Sequence, residues 1–70
     1  MAETLVGRIG NVTGRVAPGT LGEVAVNVRG GTESWFARPA DGAEIIERGR
    51  EVVIVSVGAA RTLFVTALAL

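Results

Sequence analysis

The sequence contains no histidine, cysteine, lysine or tyrosine. It therefore lacks the usual general base, the thiol nucleophile, the Schiff-base amine and the common nitrogen and sulfur ligands of metals. Without cysteine, the redox compartment cannot be inferred from thiols. The two serines, Ser34 and Ser56, have no evident base to activate them. The composition argues against an enzyme and predicts no catalytic, cofactor-binding or metal-binding residue.

Charge of either sign is sparse and balanced. Seven arginines, spread from Arg8 to Arg61, are offset by seven acidic residues, so the net charge is zero. Nucleic-acid binding usually requires a basic stripe, because neutralisation of phosphates dominates the affinity. The scattered charges indicate an ordinary solvated surface, and we expect no nucleic-acid partner.

Long hydrophobic runs are absent except at the C-terminus. Residues 52–70 contain fourteen apolar side chains and one charge, Arg61, over a length sufficient to cross a bilayer. Arg61 lies in the middle of this segment, where insertion costs about 2.5–3.5 kcal/mol. Residues 58–61 also divide it into two β-rich halves. We therefore expect a soluble hairpin and no membrane span in this chain.

The abundant residues are β-branched. Valine, isoleucine and threonine account for 21 of the 70 residues and pack well on a pleated sheet. The clearest strand alternates Val24, Val26 and Val28 with more polar residues, which is the period of a half-buried strand. The pattern predicts one all-β domain over residues 1–70. Turn signals delimit five predicted strands, at about residues 5–16, 22–29, 32–38, 51–57 and 62–68.

Glycine marks bends and turns in this pattern. Gly7, Gly10 and Gly14 predict a long first strand with bulges, because glycine permits sharp corners. Gly30 and Gly31 predict a two-residue hairpin loop between the second and third strands.

Residues 40–49 break the strand pattern between the third and fourth strands. Asp41, Glu44 and Glu47 are spaced by three, with two isoleucines between the last two. This connector is either one helical turn capped by Asp41 or an irregular loop that tucks one isoleucine inward. The three carboxylates do not match a calcium loop and are typical of a solvated acidic turn.

This strand order, with a long bent first strand, predicts a small five-stranded closed barrel of the OB-fold type. Closure removes exposed strand edges, which matters for a protein so rich in valine. An SH3-like barrel also has five strands, and sequence order separates the two poorly.

Short segments in this order resemble the C-terminal domain of NfeD-like proteins. The matching segments are residues 5–10 (LVGRIG), 18–19 with 22–24 (PG and GEV), 35–45, 49–55 (GREVVIV) and 63–65 (LFV). The resemblance implies an OB-fold barrel with no catalytic residues and no cofactor. It also implies a parent protein anchored in the cell membrane, whose barrel contacts stomatin- or flotillin-like membrane proteins. The chain itself is then an excised soluble domain or a stand-alone relative.

One residue departs from the pattern of similar sequences. Phe36 stands where they commonly have a polar residue. Because neighbouring residues of a strand face opposite sides, we predict that Trp35 and Ala37 point inward and Phe36 outward. An outward Phe36 is our candidate contact for a protein partner or for a second copy of the chain. The alternative is a Phe36 half covered by residues 40–49.

A different class of function remains open. OB barrels bind single-stranded nucleic acid or oligosaccharide by stacking bases or rings on aromatic side chains. This chain offers only Trp35, Phe36 and Phe64, and the valine- and leucine-rich surroundings of Phe64 predict a core position. This alternative rests on fold analogy alone. A protein-interaction module is therefore the leading prediction.

Overall fold

The computed structural model describes residues 4–68, which contain five β-strands and no helix. The strands are β1 (Ile9–Gly14), β2 (Gly22–Val28), β3 (Gly31–Pro39), β4 (Glu51–Val57) and β5 (Thr62–Ala67). They form a closed barrel in the order β1-β2-β3-β5-β4, with β3 and β5 parallel and every other pair antiparallel. The predicted all-β class and closed five-stranded barrel are confirmed. No helix within residues 4–68 is long and apolar enough to cross a membrane.

The barrel interior is filled by aliphatic side chains because the strands alternate as predicted. On β2, Val24 and Val26 are fully buried, whereas Glu23 and Asn27 face solvent. The buried apolar residues are Leu5, Val12, Val16, Ala17, Val24, Val26, Ala37, Ile46, Val52, Ile54, Leu63 and Val65. No polar or charged side chain is buried within residues 4–68, so burial of apolar surface drives the folding of the barrel.

The connector between β3 and β4 is an irregular loop that plugs one end of the barrel. Ile46 is 1% exposed and Ile45 is 54% exposed, so the connector tucks one isoleucine inward. Two backbone hydrogen bonds hold this plug, because Ile46 and Val16 each donate an N–H to the other's carbonyl, at 2.7 and 3.0 Å. Of the two predicted connector conformations, the irregular loop is correct and the helical turn is wrong.

Asp41 shapes the start of this connector. Its Oδ1 accepts the backbone N–H groups of Ala43 and Glu44, each at 2.9 Å. These N–H donors stabilise the charged form and hold the pKa of the Asp41 carboxyl below its ordinary value. The carboxylate is therefore ionised at neutral pH, and it caps a loop turn rather than a helix.

The first strand is shorter than predicted. Residues 5–8 form a turn, in which the N–H of Arg8 donates to the carbonyl of Leu5 at 3.1 Å. Gly7 has a φ of +90°, which is incompatible with an extended strand. The bend was predicted correctly further along, where the register with β2 shifts at Gly14. The predicted bounds of about residues 5–16 are thus wrong at both ends, and β1 runs from Ile9 to Gly14.

The β2–β3 hairpin is offset by one residue from the prediction. Val28 pairs with Gly31, so the two loop residues are Arg29 and Gly30 rather than Gly30 and Gly31. Gly30 has a φ of +79°, a conformation that glycine adopts at little cost. Gly31 is therefore the first residue of β3 and not part of the turn.

The turn between β4 and β5 contains two left-handed residues that are not glycine. Ala60 and Arg61 have φ values of 57° and 53°, and the N–H of Thr62 donates to the carbonyl of Ala59 at 3.2 Å. Positive φ at both central residues defines a type I′ turn, which normally prefers Asn-Gly. Each L-residue in this region costs about 1–2 kcal/mol, so the turn stores backbone strain.

Replacing Ala60 with glycine is expected to stabilise the domain by about 0.5–1 kcal/mol, since glycine relieves the strain but adds freedom to the unfolded chain. The measurement is the urea unfolding midpoint of Ala60→Gly against the unaltered chain. The matched control is Ala59→Gly in the same loop, whose φ is not positive and where glycine brings only added unfolded-state freedom. Equal unfolding midpoints for the two variants would show that the backbone of Ala60 is not strained.

Candidate functional site

Phe36 lies on the outer face of the barrel in the second half of β3. Its strand neighbours are Glu23 on β2 and Thr62 on β5, and its N–H donates to the carbonyl of Arg61 at 2.9 Å. Phe36 is 45% exposed, whereas the next residue, Ala37, is fully buried. The outward direction of Phe36 is as predicted, and its role in contacting a partner stays a prediction.

Phe64 shares the outer face with Phe36, so the prediction of a core position is wrong. Phe64 lies between two buried residues of β5 and is itself half-buried. It pairs with Arg38, two residues beyond the pair of Phe36 with Thr62, which places both rings on one side of the sheet. We call Phe36, Arg38 and Phe64 the aromatic face.

Gly58 makes room for the second ring of this face. A Cβ added at Gly58 would lie 2.8 Å from Cε2 of Phe64, closer than real Cβ contacts. The Phe64 ring therefore lies directly over Gly58, which explains why this outward side chain is half-buried. The position of Phe64 was missed because its sequence neighbours are all core-type residues, whereas its burial depends on the turn that follows β4.

Trp35 marks the opposite side of β3. It is half-buried and packs against the core, so the inward direction is correct but the burial is incomplete. Its indole N–H donates to Glu33 at 3.2 Å. The guanidinium carbon of Arg61 lies 4.2 Å from the ring centroid, in a cation–π contact, and Arg61 also donates to the carbonyl of Ser34 at 2.8 Å. Sequence reasoning assigned Arg61 to a solvated surface and missed this contact.

A groove of about 480 Å³ lies beside Trp35, at the end of the barrel opposite the Ile46 plug. Its lining is about equally polar and apolar, with Thr4 among the polar residues and one charge of each sign, from Arg29 and Glu33. The main lining residues are Leu5, Val28, Arg29, Glu33, Trp35 and Val57. The two ends of the barrel differ, because the connector inserts Ile46 at one end, whereas at the other end the buried Leu5 leaves the groove open beside it.

The three connector carboxylates do not converge on one point. Asp41 caps the connector turn, Glu44 accepts the hydroxyl of Thr66 at 3.0 Å, and Glu47 pairs with Arg15 at 3.1 Å. Within the described residues, no group of three metal-ligating side chains occurs. Asp41 thus stabilises the connector itself, whereas Glu44 and Glu47 bond it to β5 and to Arg15.

Comparison with known proteins relates the chain to NfeD domains. The family model described as "NfeD C-terminal domain" matches residues 9–66. The solution structure of the soluble domain of the NfeD protein YuaF from Bacillus subtilis is 34% identical, with a TM-score of 0.74 over 87% of this chain and 70% of that chain. The C-terminal domain of stomatin operon partner protein 1510-C from Pyrococcus horikoshii is 32% identical, with a TM-score of 0.74 over 94% of this chain and 91% of that chain. No match was found among curated protein sequences.

Proposed function

The chain belongs to the family of NfeD C-terminal domains, and on this premise we propose that it is a non-enzymatic module for binding another protein. Its partner is a stomatin- or flotillin-like membrane protein, and the protein that carries the domain is anchored in the cell membrane. The name of the Pyrococcus horikoshii relative as a stomatin operon partner supports this class of partner. The Bacillus subtilis relative is a soluble domain of an NfeD protein, which supports a role outside the bilayer.

The observation that carries the proposal is the exposure of Phe36 on the aromatic face. When a partner covers an aromatic side chain that is 45% exposed, burial of the ring stabilises the complex. Aromatic residues are also enriched among interface hot spots. Arg38 adds a charged group beside the two rings, and arginine is likewise enriched at interfaces. The aromatic face thus combines the residue types that dominate binding energy between proteins.

The non-enzymatic part of the proposal rests on the chemistry of the side chains. The sequence has no histidine, cysteine or lysine, which are the side chains most often used for proton transfer and nucleophilic attack. The three connector carboxylates are engaged by different partners and do not converge on one point.

The test is isothermal titration calorimetry of the purified chain against a purified stomatin-like protein from the same organism. Phe36→Ser is expected to weaken binding by about tenfold or more, because truncating a central aromatic contact commonly costs more than about 1.4 kcal/mol. The matched control is Ile9→Ser, since Ile9 is similarly exposed at 51% but lies on β1 where it pairs with β4, away from β3. This control is expected to leave the affinity unchanged.

Absence of any heat of binding with the unaltered chain overturns the choice of partner. An equal loss of affinity for Phe36→Ser and Ile9→Ser overturns the choice of surface. Sedimentation velocity of the chain alone separates a third outcome, in which the aromatic face binds a second copy and Phe36→Ser converts a dimer to a monomer.

A further inference from the structure

The groove beside Trp35 has the features of a ligand site that is separate from the aromatic face. We propose that it binds a short peptide segment of a partner protein in which an apolar side chain is followed or preceded by an acidic one. The apolar side chain enters the groove, and the carboxylate is bound by the guanidinium groups of Arg61 and Arg29. This proposal does not depend on Phe36 or on the identity of the membrane protein partner.

The size and walls of the groove suit an apolar side chain. Its volume of about 480 Å³ lies within the range of about 300–1,000 Å³ that is typical of ligand pockets. Val28 and Trp35 form part of the wall and pack against the core behind it. Val57 lines the groove yet is 47% exposed, so an entering side chain removes existing apolar surface from water. Burial of that surface is the main attractive contribution.

Arg61 does not itself line the groove, but it is held in one orientation on the ring of Trp35, which does. Its guanidinium lies on the Trp35 ring and donates one hydrogen bond, to the carbonyl of Ser34. A guanidinium has five N–H donors, so most of its donors remain for another acceptor. Because the side chain is already ordered by two contacts, a carboxylate that binds it loses less entropy than it would on a freely moving arginine.

The charge around the groove favours an anionic group. Arg29 lines the groove and Arg61 contacts its Trp35, and neither forms an ion pair with a carboxylate of residues 4–68. Glu33 is the acidic residue in the groove lining, and it accepts the indole N–H of Trp35. The arginine at the plugged end of the barrel, Arg15, is by contrast paired with Glu47. Arg29 and Glu33 balance each other in the lining, so the positive charge that complements a carboxylate comes from Arg61 on the Trp35 ring.

Backbone strain points to the same residue. Arg61 and Ala60 occupy the left-handed region, although glycine or asparagine would form this turn at lower cost. Strain of this kind persists where the surroundings hold it and clusters at binding sites. The turn places the arginine so that its side chain reaches back over Trp35, and the contacts of its guanidinium offset part of the strain.

A peptide fits these observations better than a single-stranded nucleic acid. Nucleic acid requires successive aromatic rings along a continuous basic track, whereas this groove is lined by one aromatic residue, three aliphatic residues and an acidic residue beside its one arginine. Arg29 in the lining and Arg61 on the Trp35 ring, together with the aliphatic residues, suit one carboxylate next to one apolar side chain. An acidic peptide supplies this pattern.

The test uses the acetylated and amidated peptide Asp-Leu-Asp-Leu, which has no terminal charge, and the neutral peptide Asn-Leu-Asn-Leu as its match. Trp35 is the single tryptophan, so its fluorescence and its indole N–H signal in nitrogen–proton correlation spectra report directly on the groove. The acidic peptide is expected to shift both signals and to bind about tenfold or more tightly than the neutral one, because hydrogen bonds to charged groups are the stronger class.

Variants of the chain locate the site. Arg61→Gln is expected to remove the preference for the acidic peptide. Arg61→Gly is expected to do the same. Because glycine adopts the left-handed conformation at little cost, this second variant shows whether the effect of Arg61→Gln comes from misfolding. The matched control, Arg48→Gln, alters an exposed arginine in the connector at the plugged end and is expected to leave the affinity unchanged. Phe36→Ser is also expected to have no effect, which separates this site from the aromatic face.

Equal binding of the acidic and neutral peptides overturns the role of the arginines. No shift of the Trp35 signals with either peptide overturns the site. A shift caused by an oligothymidylate of about ten nucleotides, with none caused by the peptides, overturns the assignment of the ligand in favour of single-stranded nucleic acid. Calorimetry with the stomatin-like protein addresses the aromatic face separately, so the two proposals fail or succeed independently.

Discussion

Replacing Gly22 with alanine is expected to destabilise the domain by about 3 kcal/mol or more. Gly22 begins β2 where the bulged end of β1 crosses it. A Cβ at this position would lie 2.6 Å from the carbonyl oxygen of Arg15, 2.9 Å from that of Gly14 and 2.8 Å from a methyl group of Val16. Two of these three atoms belong to the backbone, so no side-chain rotation removes the overlap, and β1 and β2 must move apart.

Such a loss is large for a chain of this length, whose expected stability is about 3.5–10 kcal/mol from the usual range per residue. The measurement is urea unfolding followed by circular dichroism at 25 °C. The matched control is Gly31→Ala, because a Cβ at Gly31 meets no atom within 4 Å and its φ is not positive. We expect this control to change stability by less than about 0.5 kcal/mol. If Gly22→Ala unfolds at the same urea concentration as Gly31→Ala, the close crossing of β1 and β2 is incorrect.

Replacing Ile46 with alanine is expected to cost about 3 kcal/mol, within the range for large-to-small changes in a packed core. Ile46 is 1% exposed and contacts the core through its position beside Val16, which is fully buried. Truncation opens a cavity at the plugged end of the barrel. The backbone hydrogen bonds between Ile46 and Val16 do not involve the side chain, so the loss measures packing rather than hydrogen bonding.

The preceding residue supplies the control. Ile45 has the same side chain and the same connector, but it is 54% exposed, and Ile45→Ala is expected to change stability by less than about 0.5 kcal/mol. Hydrogen exchange adds a local readout, because the N–H of Val16 donates to Ile46 and should exchange faster in Ile46→Ala. A larger loss for Ile45 than for Ile46 would show that the connector presents the other isoleucine to the core.

Much of the fold follows from local pattern. The alternation of Val24, Val26 and Val28 identified β2, since period two with one apolar face is a property of the strand itself. The end of β3 was placed within one residue because Pro39 cannot donate to a sheet. Predictions failed where the backbone conformation mattered more than composition. Residues 5–8 are apolar enough for a strand, but Gly7 adopts a positive φ there.

The candidate site was predictable only where it depends on local strand pattern. The outward direction of Phe36 followed from its place next to Ala37 on a strand. The outward direction of Phe64 did not, because Leu63, Phe64 and Val65 are all apolar and alternation alone does not tell which of them face the interior. Its partial burial depends on Gly58, and that contact forms only when the β4–β5 turn closes. The contact of Arg61 with Trp35 joins residues far apart in the sequence, and no spacing rule predicts it.

The sequence by itself determined the class of the protein. It contains no histidine, cysteine or lysine, its β-branched residues favour a sheet, and its ordered motifs indicate the family. The tertiary structure decided where the aromatic face and the groove lie on the surface of the barrel. Closure of the barrel through the parallel β3–β5 pair makes Ile46 a plug at one end and leaves a groove with Trp35 and Arg61 at the other. These contacts join segments that are far apart in the sequence, and the local sequence pattern does not specify which distant segments pack together.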